Sequence, residues 1–226
     1  MFKWESLVSD ARRVSEIALQ ENPGRKLFIL GYSMRSMLLR RYMERFNTGY
    51  DGAILSGANG LPSLGEFIAM KIAFLQMLFF GERYRSNLIY KLQYNGYNSK
   101  FNPKITLFEW LSGDRERVDN YANENYCEGP FTASFYFDMI FGYFRFAKLH
   151  EIKKTNTEIS IYFISGADDH VGNFTKGVKR VASLYEKFAV KDVELFFYPD
   201  CRHELINEIN RKDIYKDIIH WINKHN

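Results

Sequence analysis

Leu27-Phe28-Ile29-Leu30-Gly31-Tyr32-Ser33-Met34-Arg35-Ser36-Met37-Leu38 changes from one kind of local structure to another within a few residues. Its first four residues are a short apolar run between Arg25-Lys26 and Gly31, as expected of a strand buried on both faces of a parallel sheet. From Met34 onward the apolar residues recur at three- and four-residue steps (Met34, Met37, Leu38, Tyr42, Phe46). Arg40, Arg41, Glu44 and Arg45 lie on the other side, which predicts an amphipathic helix. A buried strand that runs through Gly-x-Ser directly into a helix sets the serine on a sharp turn at the C-terminal edge of a sheet. Ser33 is therefore a candidate nucleophile, and the backbone N–H of Met34 a candidate oxyanion donor.

Working outward, Leu7, Ala11, Val14 and Ala18 recur at helical spacing until Asn22-Pro23-Gly24 stops the helix. On the C-terminal side, Ala53-Ile54-Leu55, Ile159 to Ile164 and Val193 to Tyr198 read as three further strands. Helices are predicted over Thr175 to Phe188 and over Glu204 to Ile222, the last with Ile206, Ile209, Ile214, Ile218 and Ile222 as its buried positions. Strands alternating with helices give an α/β fold, a parallel sheet flanked by helices. About a hundred residues separate the second strand from the third, far more than a crossover needs. The expectation is a core made of residues 1–60 and 151–226, with a helical lid inserted at 61–150. Within it, stretches 66–80, 81–94 and 131–148 read as helices. The last is apolar nearly all round, which fits a helix buried under its neighbours and equally the inner wall of an acyl site.

With 46% apolar and 26% charged residues the chain has the composition of a globular protein. Basic residues exceed acidic ones by four, a surplus read as spread along the chain, and nucleic-acid binding gains no support. Cys127 and Cys201 have neither metal-like nor redox spacing, so the sequence implies reduced thiols and a cytoplasmic protein. No secretory leader is recognised at the N-terminus. The most apolar window, Phe67 to Phe80, is interrupted by Lys71 and Gln76 and is too short for a transmembrane segment, although a lid of this kind predicts transient contact with a membrane surface.

Partners for Ser33 appear in the order acid, then histidine, each just after a strand: Asp168-Asp169 after the third and His203 after the fourth. In a parallel sheet these loops emerge on one edge, so distant residues converge. Three adjacent side chains such as Asp168-Asp169-His170 rarely converge on one ion, so neither metal nor cofactor is implied. Cys201 precedes no helix in elbow fashion and is not read as a nucleophile, and His150, His220 and His225 read as surface residues.

Three segments resemble the lysophospholipase and monoacylglycerol-lipase group of α/β-hydrolases, the serine aminopeptidase S33 type. Leu30 to Ser36 resembles L-G-H-S-M-G-S, Ser165 to Gly172 resembles S-G-x-x-D-P-V-G, and Tyr198 to Glu204 resembles Y-x-x-x-R-H-E. Trp110-Leu111-Ser112 with Asp114, and Val118-Asp119 beyond it, is similar to the lid region of bacterial members. The resemblance implies the catalytic triad Ser33, Asp169 and His203, and cleavage of a small-molecule acyl ester or lipid through an acyl-serine.

Two departures stand out. Arg35 occupies the place of the second elbow glycine, where a long side chain must escape to solvent or displace the serine. Only one helix and one strand precede Ser33, and no His-Gly pair supplies the other oxyanion donor. The expectation is a partial α/β-hydrolase, N-terminally truncated or split, whose edge strand at Lys26 to Leu30 would accept a separate N-terminal fragment or self-associate. Two functional readings follow: an active serine ester hydrolase, or an impaired homologue serving as a lipid-binding or interaction module. Peptidase activity is suggested by the family name alone.

Overall fold

In the computed structural model, which describes residues 4–124 and 129–226, four parallel strands stand side by side in sequence order. They are β1 (Phe28–Tyr32), β2 (Gly52–Ser56), β3 (Ser160–Gly166) and β4 (Asp192–Tyr198). Phe28 lies opposite Gly52, Gly52 opposite Ser160, and Ser160 opposite Asp192, so all four strands end along one edge. The two central strands are almost wholly buried, as their unbroken apolar runs require. β1 and β4 form the outer edges of the described sheet, and Leu30 on β1 is 42% exposed. Cys127 lies outside the described residues, while Cys201 is a free buried thiol.

Helices cover both faces. On one, α1 (Trp4–Glu21), α2 (Met34–Arg45) and α8 (Lys176–Lys187) pack around Val8, Met43, Leu55, Phe163 and Tyr185. On the other, α9 (Arg211–His225) sets Ile214 and Trp221 against Ile54, Tyr162 and Ile164.

Several expectations shift here. α1 buries Trp4, Val8 and Ser15, a face rotated from the predicted stripe, and Val14 is exposed. The large Trp4 ring decides the orientation by stacking on Phe146 at 5.7 Å and covering Gly142. The last helix starts at Arg211. Before it lies a short 3-10 turn, Leu205–Asn207, and Ile209 is 74% exposed. The break has a local cause, since the Glu208 carboxylate accepts from the backbone N–H of Arg202 and Gly113, which turns that residue away from a regular helix. His225, read as a surface residue, is half-buried with Nε2 2.6 Å from Asp192.

Between β2 and β3 the chain forms α3 (Leu64–Phe80), α4 (Asn87–Tyr97), α5 (Arg115–Ala122), α6 (Ala133–Phe146) and α7 (Leu149–Ile152). α3 begins with a full capping box between Ser63 and Glu66. α5 and α7 are not apparent in the apolar periodicity. α6 does not belong to the insertion alone, because Tyr143 and Phe146 join the core beside α1 and α2. The positive surplus is not evenly spread: residues 61–104 hold six basic and two acidic side chains, which accounts for the whole net charge of +4. No helix among the described residues is long and apolar enough to cross a membrane.

Candidate active site

Ser33 occupies the single residue between β1 and α2, with φ 54° and ψ −122°, a strained turn that points its side chain off the sheet edge. The turn is pinned on both sides. Ser33 N–H donates to the Ser56 carbonyl at 3.0 Å, and the Ser36 N–H and hydroxyl donate back to the Ser33 carbonyl at 2.8 and 2.6 Å. Gly31 makes this geometry possible, because a Cβ there would sit 2.6 Å from the Arg35 carbonyl oxygen. Arg35 itself is exposed, so its side chain takes the solvent route and leaves Ser33 in place. Met34 opens α2, where the first backbone N–H groups have no intrahelical acceptor.

Asp169 and His203 come from the loops after β3 and β4. Asp169 is fully buried. Its Oδ1 accepts from Val171 N–H at 2.8 Å and its Oδ2 from the Ser165 hydroxyl at 3.3 Å, which fixes the carboxylate before any histidine is considered. Gly166 lets the two loops cross, since a Cβ at that position would collide with the carbonyls of Cys201 and Arg202. His203, 1% exposed, places Nδ1 3.1 and 3.0 Å from the two Asp169 oxygens and Nε2 2.8 Å from the Ser33 hydroxyl. With Nδ1–H donating to the carboxylate, Nε2 carries the lone pair that accepts the serine proton. Tyr32 and Trp110 flank the imidazole with ring centroids at 5.2 and 5.0 Å. The structure thus brings Ser33, Asp169 and His203 together, and Asp168 is the exposed member of the acidic pair.

A set of side chains to which the sequence assigned no role bolts residues 109–117 to the His203 loop. Arg202 Nη1 donates to the carbonyls of Glu109 and Ser112, and Glu204 N–H donates to the Leu111 carbonyl at 2.7 Å. Arg117 pairs with Glu204 through two bonds of 2.7 and 2.9 Å. Buried Glu208 accepts from the Ser112 hydroxyl, Gly113 N–H and Arg202 N–H. Arg202 and Glu204 flank His203 directly in the sequence, but an Arg-His-Glu triplet gives no hint of the partners waiting in the insertion. Cys201 donates its thiol to Asn210 Oδ1, and burial raises its pKa, which keeps it un-ionised and poorly suited to attack.

Beneath α3, α4 and α6 lies a cavity of about 410 Å³ whose lining includes Ile72, Ile89, Leu92, Met139 and Ile140, with His170 in its wall. Among the described residues, Asp192, Glu194 and His225 are the group with metal-like spacing. In them Glu194 Oε1 already accepts from Trp221 Nε1 and Lys224 Nζ, an arrangement that ties α9 to β4.

A family model described as "Serine aminopeptidase, S33" matches residues 1–210. No curated protein matches in sequence. Among solved structures, a thermostable carboxyl esterase from Bacillus coagulans superposes with a TM-score of 0.88 at 23% identity, over 100% of this chain and 73% of that one. A monoacylglycerol lipase from Paleococcus ferrophilus gives 0.68 at 17% identity, over 100% and 77%. A monoglyceride lipase from Saccharomyces cerevisiae gives 0.71 at 18%, over 98% and 69%. At these identities the superpositions establish a common fold.

Proposed function

The chain belongs to the serine aminopeptidase S33 family of α/β-hydrolases, and from that premise we propose that it is a serine hydrolase cleaving uncharged lipid-like carboxylic esters through an acyl-serine. The observation that carries this reading is the 2.8 Å contact between Ser33 Oγ and His203 Nε2, with Nδ1 held on a buried, independently fixed carboxylate. Ser33 Oγ attacks the ester carbonyl carbon while its proton passes to His203 Nε2, and Asp169 stabilises the resulting imidazolium. The oxyanion meets the Met34 N–H at the start of α2. Collapse breaks the bond to the alcohol oxygen, which takes the proton from Nε2. Water, deprotonated by the same nitrogen, then attacks the acyl-serine, and the acid leaves as Ser33 regains its proton.

Support for a lipid-like substrate comes from the cavity. Its lining is mostly aliphatic and aromatic and holds neither lysine nor arginine, and its one carboxylate is Glu66. A phosphate would meet no counter-charge there, so a monoacylglycerol-like ester fits better than a lysophospholipid. The insertion acts as a lid that meets a membrane surface. Leu64, Leu78, Phe79 and Phe80 of α3 are 65–73% exposed, and the basic residues of the same segment suit an anionic interface. The outer edge of β1 is where a separate fragment or a second copy would add a strand.

A fluorophosphonate probe tests the reading. Labelling of the wild type, its loss in Ser33→Ala, and a fall of about ten-thousand-fold in ester turnover in Asp169→Asn are the expected results. A folded wild-type protein that resists the probe overturns it and leaves the non-catalytic lipid-binding module as the better account.

A further inference from the structure

Each of α3, α4 and α6 turns one stripe of residues toward the cavity. That of α4 is Ile89, Leu92, Gln93 and Gly96, spaced by three and four and therefore on a single face. The two ends of this stripe differ. Ile89 is buried with Ala73 and Tyr136 in the cluster that joins the three helices, which makes it the far end of the cavity. Gly96 lies two turns further on, about 10 Å along the helix axis. The next residue, Tyr97, contacts Trp110 at 4.9 Å, and Trp110 contacts His203 at 5.0 Å, so Gly96 marks the end nearest the candidate nucleophile. Met37, one turn along α2 from Met34, also lines the cavity.

Neither backbone geometry nor packing accounts for a glycine at position 96. Its backbone is helical, and α4 is capped by Asn98 at φ −80°, so no left-handed turn calls for it. A Cβ there would meet nothing within 4 Å among the described residues beyond its own helix backbone, so no close approach calls for it either. Glycine is also the poorest helix former after proline, and it weakens α4 without a local return.

From this we propose that Gly96 is a specificity-determining residue: its missing side chain keeps the cavity open at the triad end and lets a long unbranched acyl chain reach the far end beside Ile89. The inference rests on the hydrolase reading above. A side chain at position 96 would project onto the face shared by Leu92 and Gln93, into the passage that the acyl chain follows. Bulk there shuts the chain out of the far end, and the methylenes that would have been buried against Ile72, Ile89 and Tyr136 stay in water. A short acyl group ends before it reaches that point. The site therefore selects long-chain esters over short-chain ones, and one position governs the preference.

The p-nitrophenyl esters of butanoic and dodecanoic acid test this. The measured quantity is the ratio of kcat/KM for the longer ester to that for the shorter. We expect Gly96→Leu to lower the ratio about tenfold, the loss falling on the dodecanoate, with a thermal midpoint at or above that of wild type. Gly96→Ala should lower it about threefold, and it carries the test if the leucine variant does not fold, because alanine is the better helix former. A wild type and a folded variant that both react with fluorophosphonate but share one ratio overturn the inference and leave the hydrolase reading intact. Equal losses on both esters reduce Gly96 to a support for Trp110 and also overturn it. A wild type that fails to label removes the premise and the inference together.

Discussion

The two halves of the insertion are attached to the core in opposite ways. Residues 109–117 are bolted to the His203 loop by Arg202, Glu204 and Glu208, through charge-assisted bonds that are largely out of solvent. α3 is more apolar than any segment there, yet Ala73 is its one fully buried residue, and it packs chiefly on α6. Apolar character alone therefore does not mean core. The polar half holds Trp110 against the imidazole and must not move, and the apolar half keeps its hydrophobic surface unspent.

The sharpest way to break this contrast is Glu208→Ala. It leaves the buried Ser112 hydroxyl and the part-buried Gly113 and Arg202 N–H groups without their acceptor, at a cost on the order of 3 kcal/mol by denaturant titration. Ester turnover should fall by up to about a hundredfold as Trp110 and His203 lose registration. Stability and turnover equal to wild type would show that the bolt is ornamental. Changing Leu78, Phe79 and Phe80 together to serine probes the other half. Each should remove roughly 1 kcal/mol of interfacial attachment, so binding to anionic vesicles in a sedimentation assay drops about a hundredfold while the thermal midpoint stays near wild type. A large loss of stability would instead show that this face is core in solution.

A smaller effect comes from Arg117→Ala. The guanidinium is 32% exposed on its side chain, so solvent screening holds the loss to about 1 kcal/mol, read as a modest fall in thermal midpoint that high salt diminishes. A pH-dependent effect lies outside both halves, in α2. Burial pushes the Glu44 carboxyl up to about 8, against the opposing effect of Arg40 and Arg41. Its folded pKa lies above its unfolded one, so stability declines as pH rises from about 4.5 to about 8. Between those values the folded state holds one more proton than the unfolded one, so the decline approaches ~1.4 kcal/mol per pH unit. Glu44→Gln should flatten that decline, gaining on wild type at pH 8 relative to pH 5 in parallel thermal melts.

The four strands, their parallel arrangement and the turn at Ser33 were legible because each rests on neighbours in the chain: an apolar run, a glycine, the onset of three- and four-residue spacing. The positions of Asp169 and His203 were legible for the same reason, as residues just past strand ends. Arg35 shows the limit of a motif, since its consequence depended on whether the side chain found solvent, and it did. The face of α1, the break at Glu208 and the bolt between Arg202 and residues 109–112 were not legible, and neither was the open space beside Gly96. The first three involve partners about ninety to a hundred and forty positions away, and local periodicity carries no record of which distant carbonyl or ring will be opposite. Sequence thus determined the elements and the edge where the reactive groups gather, because backbone preference and side-chain period act over a few residues. Tertiary structure alone decided whether the three side chains close to hydrogen-bonding distance and what holds the loop still, because burial and hydrogen-bond satisfaction exist only once the distant pieces are packed.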